Sequence, residues 1–254
     1  MTNVLVCIKR VPEATGEVSL TADGRGIDGT HSGYTTSPNE ECAVELAVQA
    51  ADGGQATVLT LGPGDAIDQL RSALAVGMTD GIHIEADSDA YGPGDVAREI
   101  AAAVRAREAG GTAYDLILLG NDAADTGDFQ VGVRLAYALG QPVVTGIQNV
   151  SVAGGVATLT GEGPDGTETY EVSLPAVVTI LEGGVEPRYP SVMGRMKAKK
   201  APVEVLAPSA APAGSGRESL TVPPPPPNQV QVLGTGPAAA PAFVSTLVEL
   251  GVIR

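Results

Sequence analysis

Short uninterrupted apolar runs alternate, over the first two thirds of the chain, with segments whose apolar residues recur every three or four positions. Residues 3–8 (NVLVCI), 56–61 (ATVLTL), 115–119 (DLILL) and 176–180 (AVVTI) are runs of the first kind, and 81–86 is read as a further strand of the same series. Their length and β-branched content suit strands buried on both faces. Cys42, Ala43, Leu46, Ala47 and Ala50 predict a helix over 39–51, with Glu40, Glu41 and Glu45 toward its start, where acids complement the helix dipole. Ile67, Leu70, Leu74 and Ala75 predict a second helix after the Gly-Pro-Gly turn at 62–64. Further helices are expected over 95–109, opened by Gly92-Pro93-Gly94-Asp95, and near 130–139. Strand, turn and helix repeated in this order predict right-handed crossovers and a parallel sheet.

The pattern changes after Pro142. Residues 147–153, 156–162 and 168–174 read as short alternating strands separated by Gly154-Gly155 and Pro164-Asp165-Gly166, an antiparallel meander. Nine of the nineteen prolines fall between 208 and 241, and the run Pro223 to Pro227 predicts extended polyproline II. The apolar helix expected at about 241–250 is too short to stand alone. It docks either on its own chain or on another subunit. The expected fold class is α/β: a parallel, five-stranded-type, Rossmann-like sheet with helices on both faces, an added antiparallel meander and an extended arm. Residues 1–206 form the nucleotide-binding-type domain, including a docking loop at 186–200, and 207–254 the arm.

With 254 residues the chain can bury a large core, and a formal charge of −15 argues against nucleic acid as a partner. Cys7 and Cys42 offer neither a disulfide framework nor a zinc spacing, which fits a reducing cytoplasm. The N-terminal apolar run stops at Lys9 and Arg10 without a signal-like cleavage site, and no apolar stretch reaches membrane-spanning length, so neither export nor membrane insertion is expected.

Candidate chemistry is sparse. Gly24 to Gly29 matches GxGxxG but follows polar residues and precedes no helix, so it is not read as a dinucleotide fingerprint. His31 and His83 have no nucleophile and orienting acid placed beside them and are read as structural. Residues 119–133 (LGNDAADTGDFQVGV) are more informative, because they sit where a parallel strand ends and a helix begins, the edge at which open α/β sheets bind nucleotides. An acidic surface loop is the plainer reading. Residues 186–200 gather Arg188, Arg195, Lys197, Lys199 and Lys200, five of fifteen basic residues, either as a solvated face or as an electrostatic docking loop that displays Val192 and Met193.

The segment LPAVVTILEGGVEPRYPSVMGRMKAKKAPVEV at 174–205 resembles the signature of the β subunit of electron-transfer flavoproteins, with Ala201 in place of a final lysine. VLVCIKRVPE, SPNEECAVELAV, LGPGDAIDQLRSALAVGMTDGIHI and GNDAADTGDFQVG align with that family in order. The resemblance implies a heterodimer with a larger α subunit, one FAD held mainly by α, and an adenine nucleotide in this chain, AMP in simple carriers or a second FAD in electron-bifurcating ones. Carried over residue by residue, it implies nucleotide contacts from Cys7, Ser37, Leu61 and Gly62 and from Ala123, Ala124, Asp125, Thr126, Gly127, Asp128, Phe129, Gln130, Val131, Gly132 and Val133. It implies partner docking by Tyr189, Val192, Met193, Arg195 and Met196. Ser37 stands where the family usually has Asn, and Ala14 and Asn39 where many members have aromatics.

The implied function is electron carriage from flavin dehydrogenases, such as acyl-CoA dehydrogenases, to a quinone oxidoreductase or another acceptor. The flavin carries the redox chemistry, so no catalytic acid–base pair is required. Gln130-Val131-Gly132 resembles the bifurcating form, whereas Phe129 adds bulk beside the phosphate site, and the balance falls to AMP. A non-redox adenine-nucleotide-binding regulatory domain is the alternative.

Overall fold

The computed structural model describes residues 1–13, 18–224 and 230–253. Ala14 and Pro225 to Pro227 lie outside the described residues. The chain divides into two compact units, Met1–Leu220 and Thr221–Arg254.

Strand β1 (Val4–Ile8) occupies the middle of the first unit, where each of its residues is buried. A small antiparallel ribbon, β2 (Arg10–Pro12) with β3 (Tyr34–Thr36), follows, and then helix α1 (Pro38–Ala51). The chain continues through β4 (Ala56–Gly62), α2 (Ile67–Ala75), β5 (Asp80–Glu85), α3 (Pro93–Ala109), β6 (Leu116–Gly120) and α4 (Val131–Leu139). Next come β7 (Val143–Ala153), β8 (Val156–Gly163), β9 (Gly166–Ser173), β10 (Ala176–Ile180), α5 (Val192–Ala198) and β11 (Val203–Leu206). The main sheet has nine strands in the order β11-β5-β4-β1-β6-β10-β7-β8-β9. Strand β1 pairs in parallel with β4 on one side (Val4 opposite Ala56) and with β6 on the other (Val4 opposite Leu116).

Alternation along each strand builds two cores. Val4, Val6 and Ile8 point with Val58, Leu116 and Leu118 into the layer of α1 and α2, where Leu46, Ala47 and Leu70 are buried. Leu5 and Cys7 point with Leu59, Ile117 and Leu119 the other way, against Ile100 and Val104 of α3 and Leu135 of α4. Helices therefore cover both faces, the arrangement that a fully apolar central strand demands.

The α/β class is the one expected. Its parallel part holds seven strands, the nine less β8 and β9, rather than five. One addition is β7, which begins at Val143 rather than 147. Val143 and Val144 pair in parallel with Val177 and Val178 before the register shifts, and Asn149 to Ala153 then pair antiparallel with β8. Gly146, at φ 74°, lies at that shift. The other is β11, four residues whose strand character comes from pairing with β5.

Two further differences concern the end of the unit. Residues 186–200 are not a loop throughout: Ser191 Oγ accepts from Gly194 N at 3.0 Å and starts α5. The unit also extends past 206 to Leu220. Ser209 N donates to Glu99 Oε2 (2.5 Å), Gly214 N to Asp95 Oδ2 (2.8 Å) and Leu220 N to Gly24 O (2.7 Å).

In the second unit, a 3-10 turn at Gly236–Ala239 leads into α6 (Ala240–Glu249), which has no buried residue. Among the described residues no helix is long and apolar enough to cross a membrane.

Candidate functional site

The chain turns from β1 to β4 and β5 on one side and to β6 and β10 on the other. The carboxyl ends of β1 and β6 therefore splay apart beside a topological switch point, the place where open α/β sheets form a crevice. A cavity of about 960 Å³ opens there, lined by Cys7 and Ile8 at the end of β1 with Lys9 and Arg10 beyond it, Leu59 and Leu61 of β4, and Leu119 and Gly120 at the end of β6 with Asn121 to Ala123 beyond it. Its volume lies at the upper end of the range for small-molecule sites, roughly 300–1,000 Å³.

Helix α1 anchors one wall. Its first turn carries Pro38, and Glu40 reaches back to accept from Ser37 N at 3.2 Å, a capping arrangement legible in the string Ser37-Pro38-Asn39-Glu40. Ser37 is buried, and its Oγ accepts from Ala124 N at 3.1 Å, so this hydroxyl holds the loop after β6 against α1. Asn39 Nδ2 donates to Asp122 Oδ1 (2.9 Å), and its Oδ1 accepts from Glu182 N (2.9 Å), tying the same loop to the segment after β10. Lys9 Nζ lies 2.7 Å from both carboxylate oxygens of Asp125.

Burial pushes the Glu40 carboxyl up to about 8 despite its bond from Ser37 N. Burial first, and the neighbouring Glu40 second, push the Cys7 thiol far above its ordinary value, so it stays protonated. A protonated thiol is not a nucleophile. Arg10 stacks over the Tyr34 ring with its guanidinium carbon 3.3 Å from the centroid.

The loop from 121 to 130 closes into α4 through two left-handed residues, Gly127 (φ 56°) and Phe129 (φ 55°). That conformation costs a residue with a Cβ about 1 kcal/mol, and strain of this kind gathers at functional sites. No side chain caps the N-terminus of α4. Its flanking Gln130 and first residue Val131 line the cavity, and Gln130 Oε1 accepts from Arg134 Nε (3.0 Å) and Nη2 (2.9 Å).

Of the residues singled out by sequence, Cys7, Leu61, Ala123, Asp125, Thr126, Asp128, Phe129, Gln130 and Val131 line this cavity. Ser37 and Ala124 support it through their mutual bond. Gly62 ends β4, and its carbonyl accepts from Ala86 N (3.0 Å) and lies 3.0 Å from His83 Nε2. Gly132 packs α4 on β10: a Cβ there would fall 2.3 Å from Thr179 Cγ2. Val133 is half-exposed on α4. Sequence reading does not single out Lys9, Arg10 and Tyr34 for the site, nor the walls from 21–27, 87–91 and 214–217. Lys9 and Arg10 carried a signal, being the first polar residues beyond the carboxyl end of a buried strand, whereas the walls come together only in the tertiary structure.

The segment after β10 divides into anchors and display. Arg188 makes a two-point ion pair with Glu45 of α1, Gly194 lies so close to Ala75 O that a Cβ would be 2.2 Å from it, and Ala198 is buried. Arg71 Nη1 donates to the carbonyls of Ala198 (2.6 Å) and Ala201 (2.8 Å), holding the carboxyl end of α5. Tyr189 (92%), Val192 (78%), Met193 (69%) and Met196 (62%) are instead exposed, with exposed Arg195 among them.

A crevice at the switch point, an uncapped helix N-terminus and an anchored loop displaying apolar side chains coincide with the sequence match: residues 28–211 match the electron transfer flavoprotein domain. The chain belongs to the electron transfer flavoprotein family. It is 42% identical over 212 residues to the electron transfer flavoprotein subunit beta of Syntrophomonas wolfei, covering 82% of this chain and 81% of that one. To the subunit beta of Mycobacterium tuberculosis it is 37% identical over 213 residues (81% and 79%), and to that of Bacillus subtilis 34% over 208 (80% and 78%). In this electron transfer flavoprotein β chain, the strings that carry the family resemblance are largely those that build the cavity wall and the anchored loop.

Proposed function

We propose that this β chain pairs with an electron transfer flavoprotein α subunit and binds AMP in the switch-point cavity. The heterodimer carries electrons from flavin dehydrogenases, such as acyl-CoA dehydrogenases, to a quinone oxidoreductase or other acceptor in the cytoplasm. The observation that carries the nucleotide reading is the α4 N-terminus, which has no capping side chain and opens on the cavity. Free amides and the positive end of the helix dipole there suit a phosphate group. Lys9 and Asp125 neutralise each other across the cavity, and Ser37 fixes Ala124, so the loop that meets the ligand is set before the ligand arrives.

When bound, the FAD held mainly by the α subunit supplies the redox chemistry. The β chain contributes position. Arg188, Gly194 and Ala198 hold the loop rigid, and Tyr189, Val192, Met193 and Met196 offer an apolar patch to the dehydrogenase. Arg195, Lys197, Lys199 and Lys200 lie around that patch and suit an acidic docking surface. Residues 207–254 include the arm that contacts the α subunit.

A second reading, in which the cavity holds a second FAD, is favoured by its volume of about 960 Å³. Denaturing the purified heterodimer and quantifying the released nucleotides decides between them. One FAD and one AMP per heterodimer supports the proposal, two FAD and no AMP supports the second reading, and a complex without flavin overturns both in favour of a non-redox nucleotide-binding role.

A further inference from the structure

The far wall of the cavity is made by residues 214–217, which lie beyond the family match at 28–211. Residues 209–217 cross the N-terminal end of α3 as a strap held by two carboxylates. Asp95 accepts from Ala213 N (3.0 Å to each oxygen), Gly214 N (2.8 Å) and Gly92 N (3.1 Å), and Glu99 accepts from Ser209 N. Arg98 pairs with both acids, at 2.8 Å to Asp95 and 3.1 Å to Glu99. The Asp95 carboxylate is thereby fully engaged, and these donors hold it down to about 2. Ionised at every pH near neutrality, it is a fixed latch.

The latch brings the strap to the same end of the cavity as the α4 N-terminus. Gly92 lies so close to the strap that a Cβ would sit 2.3 Å from Gly214 O. Two residues on, the Cβ position of Gly94 is 3.6 Å from Arg134 Nη1, and Arg134 holds Gln130 at the start of α4. Gly214 (φ 90°) and Gly216 (φ 73°) turn the strap inward, Arg217 N donates to Ser215 Oγ (3.2 Å), and Leu220 N closes the turn on Gly24 O. Gly214, Ser215, Gly216 and Arg217 line the cavity.

Among the described residues Arg217 makes no ion pair, in a chain of formal charge −15. Asp23, Glu40, Asp87, Asp89, Asp122, Asp125 and Asp128 also line the cavity, and Lys9 neutralises Asp125. Asp23 is occupied by the Thr21 hydroxyl and Arg25 N, and Asp87 by Asp89 N. Arg217 and the first residues of α4, whose N-terminus no side chain caps, line the same cavity, so an anion bound there can meet both a guanidinium and free amides.

We infer that the strap is part of the nucleotide site, that Arg217 donates to a phosphate of the bound nucleotide, and that Asp95 is the positioning residue that holds the strap in place. The inference rests on the adenine-nucleotide reading above and adds to it the group that recognises phosphate from the far wall. A monophosphate and the pyrophosphate of FAD share this chemistry.

The test uses the full-length chain in its heterodimer, freed of endogenous adenine nucleotide and titrated calorimetrically with AMP, with FAD and with adenosine. Arg217→Ala, a half-exposed position outside the core, is expected to weaken the phosphate-bearing ligand at least about tenfold while leaving adenosine affinity unchanged. Whichever of AMP and FAD shows the loss identifies the phosphate's source. Asp95→Asn is expected to lower the ratio of phosphate-ligand to adenosine affinity in the same direction, whereas a general loss of structure lowers both. Unchanged AMP and FAD affinities in Arg217→Ala, or parallel losses of AMP and adenosine, overturn the inference and leave the cavity reading standing. A wild-type heterodimer that binds none of the three ligands overturns the cavity reading and the inference with it.

Discussion

Arg188 and Glu45 face each other in a fork, Nε to Oε2 and Nη2 to Oε1 both at 2.6 Å, and the carboxylate is buried while the guanidinium is half-exposed. This contact joins the loop after β10 to the middle of α1 across 143 residues of sequence. Arg188 holds the Glu45 carboxyl below its usual range, and Gln49 adds a second donor.

Replacing Arg188 by Ala leaves a buried carboxylate without its cation, and about 1–3 kcal/mol of stability is expected to be lost in denaturant unfolding of the heterodimer. Arg188→Lys is expected to recover part of it, since a single ammonium cannot reproduce the fork. The Glu45 contribution is present above the ordinary glutamate pKa and fades as pH falls through the depressed value. The wild-type advantage over Arg188→Ala should therefore shrink in acid, as unfolding at pH 7 and pH 3 would reveal.

Glu40 behaves in the opposite sense. Its folded pKa of about 8 lies above the ordinary 4.5, so the folded state holds the proton more tightly. Stability from this group is full below pH 4.5 and declines as pH rises toward 8. Glu40→Gln keeps an acceptor for Ser37 N and removes the charge. It is expected to flatten the stability profile over that window and to be more stable than wild type at pH 8. A variant whose profile still falls as steeply as wild type would show that another group titrates there.

Val192 is 78% exposed, so Val192→Ala should leave the unfolding curve and the flavin content of the heterodimer unchanged. Under the proposed docking role of Val192, the substitution is expected to slow reduction by the dehydrogenase several-fold to a thousand-fold, about 1–4 kcal/mol, and the double substitution with Met193 more so. Stopped-flow reduction at sub-saturating carrier measures this, and unchanged rates contradict the assignment.

Gly132→Ala would place a methyl 2.3 Å from Thr179 Cγ2, forcing α4 away from β10 at about 1–3 kcal/mol. Thr179 also donates its hydroxyl to Asn121 Oδ1 at 2.6 Å. Thr179→Ser keeps that hydroxyl and removes the clashing methyl, so the double variant is expected to regain most of the lost stability. If the double variant unfolds as easily as Gly132→Ala alone, the contact is not what requires glycine.

The sequence by itself determined the α/β class, because uninterrupted apolar runs such as 4–8 and 116–119 can be satisfied only by a sheet covered on both faces. It also marked the segment 119–133 through its position between a parallel strand and a helix. Four-residue β11 and the parallel start of β7 lacked such a signal, since their pairing partners, β5 and β10, lie far away in sequence. Composition marked 186–200 as basic, but only the fold separates Arg188, spent on Glu45, from the exposed Arg195 and lysines. The family resemblance implies Ser37 as a ligand contact, and only the structure shows its hydroxyl accepting from Ala124 N, 87 residues away. On sequence the strap falls within the proline-rich arm at 207–254, because its own residues carry no pattern. Its place is set by Asp95 and Glu99, one turn apart on α3, which meet it only once β11 has carried the chain back across the sheet. Local pattern reports which faces must be buried, while contacts between distant polar groups depend on the directions of chain reversals that no local pattern encodes.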